Sequence, residues 1–112
     1  MKQITGPELL SMRAAGTPGS APVLLDVREP WEFALAAIRV EGLRSLHIPM
    51  GTVPGRLEEL DPLLPIVCIC HHGVRSAQVV AFLEYQGFTS AYNLAGGIEA
   101  WSQHVDPGVP RY

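Results

Sequence analysis

The stretch that decides the fold is an apolar run followed by a short polar loop, Pro65-Ile66-Val67-Cys68-Ile69-Cys70-His71-His72-Gly73-Val74-Arg75-Ser76. The apolar part shows no alternation of polar and apolar residues, which is typical of a strand buried on both faces of a sheet. Residues 77–87 follow, with Val79, Val80 and Leu83 on one face, which predicts an amphipathic helix. The sequence therefore predicts that the Cys70 thiol lies between the end of a strand and the beginning of a helix.

A cysteine in this position is a candidate nucleophile. The first turn of a helix presents unpaired backbone N–H groups and the positive end of the helix dipole to the loop before it. We therefore expect Cys70 to be partly thiolate near neutral pH and to lie beside an anion site. Cys68 lies within the apolar run, so we interpret it as a core residue. Two cysteines with this spacing cannot easily form a disulfide with each other, and free thiols fit a reducing compartment.

The polar loop after the thiol contains the residue types that an anion site needs. Gly73 allows the backbone to turn tightly and to point its N–H groups inward. Arg75 either contacts a substrate anion or braces the loop by pairing with an acid such as Asp26, and we favour the brace. Asp26 is equally consistent with a cap at the end of its strand. His71 and His72 are either exposed loop residues or contributors to the positive potential of the loop.

The same stretch also contains cysteines and histidines, the residue types that bind metal ions, within a few positions of each other. Adjacent residues such as His71 and His72 rarely bind one ion together, and the sequence contains no second Cys/His pair. We therefore expect neither a metal nor a cofactor.

Composition excludes several classes of function. The net charge of -3 argues against nucleic acid as a partner, and no basic run indicates a membrane surface. No apolar segment approaches the length that spans a membrane, and MKQITGPELL lacks the apolar core of a signal peptide, so we expect a cytoplasmic protein. With 112 residues and 47% hydrophobic residues, we expect one domain over 1–112 with a substantial core, and a monomer.

Strands and helices alternate along the chain, which predicts an α/β domain with a parallel sheet. Besides 66–69, strands are predicted at 2–4, 23–27, 46–48 and 91–94. Helices are predicted from a Thr5/Glu8 capping box to about Ala15, at 30–35, within 52–60 and at 98–104, with a loop over 16–22 and an extended tail over 106–110. Asp26, Cys70 and Gly96 follow strand ends, so we expect them to converge at one edge of the sheet, where ligands bind.

Four motifs occur in order along the chain: Leu25-Asp26-Val27-Arg28-Glu29-Pro30-Trp31-Glu32-Phe33, His47-Ile48-Pro49, the loop from Cys70 to Ser76, and Asn93-Leu94-Ala95-Gly96-Gly97-Ile98-Glu99-Ala100-Trp101. Together they span nearly the whole chain, and they resemble the single-domain rhodaneses, a family of sulfurtransferases. The resemblance implies a three-layer α/β fold, in which helices flank a central parallel five-stranded sheet.

The resemblance also implies a reaction. Cys70 would accept a sulfane sulfur from a small anionic donor such as thiosulfate and form a persulfide, and the sulfur would pass to cyanide, a cellular thiol or a protein acceptor. The substrate cradle would consist of the residues after the nucleophile, His71, His72, Gly73, Val74 and Arg75. Asp26 and Ser76 would support that loop structurally.

Two alternatives are weighed against this reaction. Cysteine phosphatases of the cell-cycle dual-specificity type share the fold but have a loop one residue longer, whereas four residues separate Cys70 from Arg75 here. A persulfide carrier or rhodanese-like binding module, which delivers sulfur to a protein partner with little small-molecule turnover, stays open. The chain departs from the family where Ala36-Ala37-Ile38 replaces Gly-His-Ile and where residues 39–44 lengthen the segment, so we expect the local structure and partner contacts there to differ from those of the family.

Overall fold

The structure of the protein is a computed structural model that describes residues 2–15 and 21–112. Residues 16–20, which hold most of the loop predicted over 16–22, lie outside the described residues. Within the described part, five strands form a sheet: β1 (Lys2–Ile4), β2 (Val23–Asp26), β3 (Ser45–His47), β4 (Ile66–Ile69) and β5 (Ala91–Leu94). The strand order is β1-β5-β4-β2-β3 and every neighbouring pair is parallel, which confirms the predicted fold class.

The described residues also form four α-helices and one 3₁₀-helical segment: α1 (Gly6–Ala15), α2 (Pro30–Leu35), the 3₁₀ segment (Met50–Glu59), α3 (Val74–Tyr85) and, after the last strand, α4 (Gly97–His104). The capping box predicted before α1 is present, because the Thr5 N–H donates to Glu8 Oε1 over 2.9 Å and the Glu8 N–H donates to Thr5 Oγ1 over 3.2 Å. α3 begins at Val74, so its first turn contains Arg75 and Ser76. No helix of the described residues is long and apolar enough to cross a membrane.

The sheet separates two layers of apolar packing, because successive side chains on each strand point to opposite faces. On β2, for example, Leu25 packs with α3 and the 3₁₀ segment, whereas Leu24 packs with α1 and α4. Cys68 and Cys70 belong to the layer of Leu25, in which Cys68 is fully buried. The interpretation of Cys68 as a core residue is confirmed.

Two irregular segments are packed in ways that the sequence did not specify. Ala36, Ile38 and Val40, in the segment that departs from the family pattern, are buried in the layer beside α1 and α4. The tail predicted to be extended over 106–110 instead forms a turn, so that prediction is wrong. Asp106 Oδ1 accepts the Gly108 N–H over 2.9 Å, which is the local hydrogen bond that Asp favours before a glycine.

Candidate active site

Cys70 follows the last residue of β4 at the carboxyl edge of the sheet, and only 1% of its surface is exposed. Its Sγ accepts a hydrogen bond from the Gly73 N–H over 3.0 Å. Gly73 directs this N–H inward because it adopts a φ of 99°, in the left-handed region that residues with a side chain rarely enter. One inward amide of the predicted anion cradle is therefore present at the sulfur.

The N-terminus of α4 fixes the other side of the loop. The Ile98 N–H donates to the Cys70 carbonyl over 2.9 Å, and the Glu99 N–H donates to the His71 carbonyl over 3.1 Å. Because a trans peptide directs its carbonyl and N–H to opposite sides, the amides that follow these carbonyls point away from α4. Gly97 permits the contact, since a Cβ there would collide with both loop carbonyls.

Ser76 on α3 and Asn93 on β5 hold the loop through side-chain hydrogen bonds. Ser76 Oγ lies 3.2 Å from Cys70 Sγ, and its hydroxyl donates to Asn93 Oδ1 over 2.5 Å. Asn93 Nδ2 in turn donates to the Gly73 carbonyl over 2.9 Å. Ser76 thus lies at the position expected of a loop support, and it contacts the sulfur directly. Asn93 was not identified as a site residue from the sequence, although an amide in an otherwise apolar strand is a signal that could have indicated it.

Arg75 braces the loop, but its partner is Glu32 rather than Asp26. Its two terminal nitrogens contact the two carboxylate oxygens of Glu32 over 2.6 and 2.8 Å. The hydrogen bonds from Arg75 lower the pKa of Glu32 to about 2, with a contribution from the Tyr112 hydroxyl, although burial opposes the charge. The guanidinium is therefore engaged by a protein carboxylate, as expected for the bracing role.

Within the described part of the chain, the Asp26 carboxylate is paired with Arg28 and not with Arg75, so its predicted pairing with Arg75 is wrong. Arg28, two residues further on, is fully buried and takes both oxygens of Asp26 with its Nε and Nη2. Arg28 Nη1 also donates to the Tyr112 hydroxyl over 2.9 Å, and that hydroxyl donates to Glu32 Oε2 over 2.7 Å. Asp26 therefore reaches the loop only through this chain of intervening side chains.

The two loop histidines belong to an aromatic stack that ends on Tyr112. The rings of His71 and Tyr112 lie 4.0 Å apart at an angle of 11°, and those of His71 and His72 lie 4.0 Å apart at 20°. Burial, and then the neighbouring His72, lower the pKa of His71, so its ring is largely uncharged at neutral pH. His71 therefore contributes less to a positive loop potential than the sequence indicated.

The remaining loop side chain and the second cysteine face different surroundings. Val74 is 68% exposed, so it lies at the outer surface of the loop. Burial raises the pKa of Cys68 to about 12, which keeps that thiol protonated. Within residues 2–15 and 21–112, no three His, Cys, Asp or Glu side chains lie together as a metal ion would require.

Three further site residues could not have been placed from spacing alone. Glu32 is an acid within the short helix after Pro30, which indicates a helix-start charge but not its distant partner. Arg28 is a charge that follows an apolar strand. Tyr112 lies 84 residues from Arg28 in sequence, and its position depends on the turn that the tail makes.

Comparisons with known proteins identify the family of this chain. A profile of the rhodanese-like domain matches residues 7–104. The chain is 33% identical over 106 residues to the thiosulfate sulfurtransferase GlpE of Stutzerimonas stutzeri, with 95% of the chain and 88% of that protein covered. It is 42% identical over 93 residues to the chloroplastic rhodanese-like/PpiC domain-containing protein 12 of Arabidopsis thaliana, which covers 80% of the chain but only 30% of the longer plant protein.

A solved structure shows the same fold over its full length. The crystal structure of a rhodanese-like domain protein from Staphylococcus aureus matches with a TM-score of 0.79 and 34% identity, and covers 100% of this chain and 99% of that one. Profile, relatives and structure thus agree on one classification. The chain belongs to the rhodanese-like domain family, which includes single-domain sulfurtransferases.

Proposed function

We propose that the protein is a sulfurtransferase that carries a sulfane sulfur as a persulfide on Cys70. The observation that supports this most strongly is the environment of the sulfur, which lies at the end of β4 and is contacted by the Gly73 N–H and the Ser76 hydroxyl. An N–H donor favours the thiolate, which is the nucleophilic form of cysteine. Neither contact is a general base, which suits a reaction that transfers a group between sulfur atoms without moving a proton.

The first step loads the sulfur from a donor such as thiosulfate. The Cys70 thiolate attacks the outer sulfur of thiosulfate, a new S–S bond forms, and the old S–S bond breaks with its electron pair leaving on sulfite. The loop amides stabilise the anionic donor and the persulfide that remains. The relative named a thiosulfate sulfurtransferase supports this choice of donor.

The second step delivers the sulfur to a thiophilic acceptor, which is cyanide or a cellular thiolate. The acceptor's lone pair forms a bond to the outer sulfur of the persulfide, and the S–S bond breaks with its electron pair staying on Cys70. Because the Arg75 guanidinium is held by Glu32, we assign donor recognition mainly to backbone N–H groups and to loop shape. Arg75 acts by fixing the first turn of α3.

Intact-protein mass spectrometry tests the proposal. After treatment with thiosulfate, the wild-type protein should gain the mass of one sulfur atom, and subsequent cyanide should remove it. Cys70→Ser should gain nothing, whereas Cys68→Ser, the matched control two residues away, should gain sulfur like the wild type. A wild-type protein that acquires no sulfur from any sulfane donor would contradict the proposal.

A panel of donors separates an enzyme from a persulfide carrier. Steady-state turnover with thiosulfate and cyanide is expected if small molecules are the substrates. Rapid loading that occurs only from a protein persulfide would instead favour the carrier, which uses the same Cys70 persulfide but obtains it from a partner.

A further inference from the structure

A closed hydrogen-bonded ring contains the Cys70 sulfur, the Gly73 backbone, the Asn93 amide and the Ser76 hydroxyl. Gly73 donates its N–H to the sulfur, Asn93 Nδ2 donates to the Gly73 carbonyl, Ser76 donates to Asn93 Oδ1, and Ser76 Oγ lies beside the sulfur. The three side chains of this ring are at most 3% exposed, so water competes little for their hydrogen bonds.

The chemistry of the ring fixes the direction of each proton. The Gly73 carbonyl can only accept, so Asn93 must present Nδ2 to it and must present Oδ1 to Ser76. Because Oδ1 also only accepts, the single hydroxyl proton of Ser76 points at Asn93. Ser76 therefore presents lone pairs, rather than its proton, to the sulfur 3.2 Å away.

With the Ser76 hydroxyl directed at Asn93, the contact between Ser76 and the sulfur is satisfied by a Cys70 thiol but not by a thiolate. A thiol can donate its S–H to Ser76 Oγ, and every member of the ring is then satisfied. A thiolate has no proton to donate, so two acceptors would face each other. The conflict is relieved when the Ser76 O–H rotates from Asn93 Oδ1 to the sulfur. Asn93 and the sulfur thus compete for one proton donor.

We propose that Asn93 is a positioning residue for sulfur transfer that acts through the direction of the Ser76 hydroxyl. In the resting protein the Ser76 hydroxyl donates to Asn93 Oδ1 and not to the sulfur. When sulfur is delivered and a thiolate forms, the hydroxyl donates to the thiolate instead. In that step the S–S bond breaks and its electron pair stays on Cys70, so the O–H bond rotates but no proton is transferred. This catalytic part rests on the proposed function.

Other charged or titratable side chains around the loop come from each neighbouring element: Glu32 on α2, Cys68 on β4, His71 and His72 in the loop, Arg75 on α3, Glu99 on α4 and Tyr112 in the tail. Arg75 and Glu32 form an ion pair, and burial keeps Cys68 protonated. Substitutions within the ring change none of these residues, so a change in the alkylation profile is assigned to the ring.

The test measures the rate of iodoacetamide alkylation of Cys70 as a function of pH. Ser76→Ala removes the charge-assisted hydrogen bond from the rotated hydroxyl to the thiolate, and this loss outweighs the loss of the weaker neutral hydrogen bonds of the thiol state, so the midpoint should rise by up to about one pH unit. Asn93→Ala removes the competing acceptor and leaves the hydroxyl free for the sulfur, so the midpoint should fall. Asn93→Ala also removes the hydrogen bond from Nδ2 to the Gly73 carbonyl, and its effect when residue 76 is already alanine measures that contact alone. This shift should be much smaller than the fall seen when Ser76 is present, because Asn93 acts mainly through Ser76. Ser102→Ala, which removes another buried serine hydroxyl, should not move it.

The opposite signs distinguish a positioning role from a structural one. If both single substitutions move the midpoint in the same direction, or if Asn93→Ala lowers it as far when Ser76 is absent as when Ser76 is present, the proposal is wrong. Asn93→Leu, which keeps the branched shape and the number of side-chain heavy atoms but has no polar group, serves with the same expectations if the alanine variant does not fold. Alkylation needs no sulfur transfer, so opposite shifts in a protein that never forms a persulfide would refute the proposed function and support the ring. Same-direction shifts in a protein that does form one would refute the ring alone.

Discussion

Two cysteines only two residues apart, Cys68 and Cys70, have opposite chemical environments. Both are buried, and both contribute to the same apolar layer. Cys68 lies within β4, where burial raises its pKa to about 12. Cys70 lies one residue beyond the strand, where an amide and a hydroxyl contact its sulfur. We propose that position relative to the strand end, rather than exposure, makes Cys70 and not Cys68 the nucleophile.

The same substitution at both positions should separate activity from stability, which is the largest effect we expect. Cys70→Ser should reduce thiocyanate formation from thiosulfate and cyanide to background, since a hydroxyl at this site is not nucleophilic at neutral pH. Its stability should change little, because the hydroxyl can keep both polar contacts. Cys68→Ser should retain the activity but lower the free energy of unfolding by about 1–3 kcal/mol, because it buries an unpaired hydroxyl.

Steady-state rates and urea unfolding, measured on the same preparations, check this reciprocal pattern. The comparison fails if Cys68→Ser loses activity while it stays folded, since the core thiol would then take part in the reaction.

A glycine substitution should disturb the loop that distinguishes Cys70. Gly97→Ala places a Cβ against the Cys70 and His71 carbonyls at a φ of 61°, so we expect a loss of several kcal/mol in unfolding free energy and of most activity. Gly87→Ala is the matched control, because its φ is 95° but nothing lies within 4 Å of the added Cβ. That variant should lose only about 1–2 kcal/mol. Equal losses in the two variants would mean that the contact between α4 and the loop is unimportant.

The stability that the Arg75–Glu32 ion pair gives to the fold should depend on pH. The pKa of Glu32 is about 2 in the folded protein, below its ordinary value of 4.5, so its ion pair stabilises the fold above about pH 4.5. This stabilisation, about 3 kcal/mol, should be lost progressively as the pH falls from 4.5 to 2. Glu32→Gln should therefore be less stable than the wild type at pH 7, and the two unfolding curves should converge in acid. A difference that stays constant down to pH 2 would show that the carboxylate charge is not responsible.

The smallest effect is expected at Tyr112, whose hydroxyl links Arg28 to Glu32. Tyr112→Phe keeps the ring that stacks on His71 but removes the hydroxyl between Arg28 and Glu32. We expect a loss of about 1–2 kcal/mol in urea unfolding and less than a twofold change in sulfur transfer. Tyr112→Ala should lose more of both. If the phenylalanine variant loses as much activity as the alanine variant, the hydroxyl rather than the stack positions the loop.

The sequence predicted what depends on local pattern. Apolar runs and glycines placed the five strands and the loop, and the strand ends predicted that Cys70 and Gly96 would lie at one edge of the sheet. Gly96 lies beside Gly73 of the loop there, and Gly97 lies beside the Cys70 carbonyl. It could not choose between acids for Arg75, because Asp26 and Glu32 both lie near the end of β2 and the choice depends on the three-dimensional position of Arg28. Tyr112 was inaccessible to sequence reasoning for a similar reason, since a turn in the tail determines where its ring packs.

Fragment-ion mass spectrometry of the thiosulfate-treated wild-type protein tests the central claim most directly. No Lys or Arg lies between Arg56 and Arg75, so one tryptic peptide contains both Cys68 and Cys70. Fragmentation of that peptide assigns any added sulfur to one of the two residues. We predict that the sulfur lies on Cys70 alone, while Cys68 stays an unmodified thiol. Sulfur found on Cys68, or shared equally between the two residues, would contradict the account.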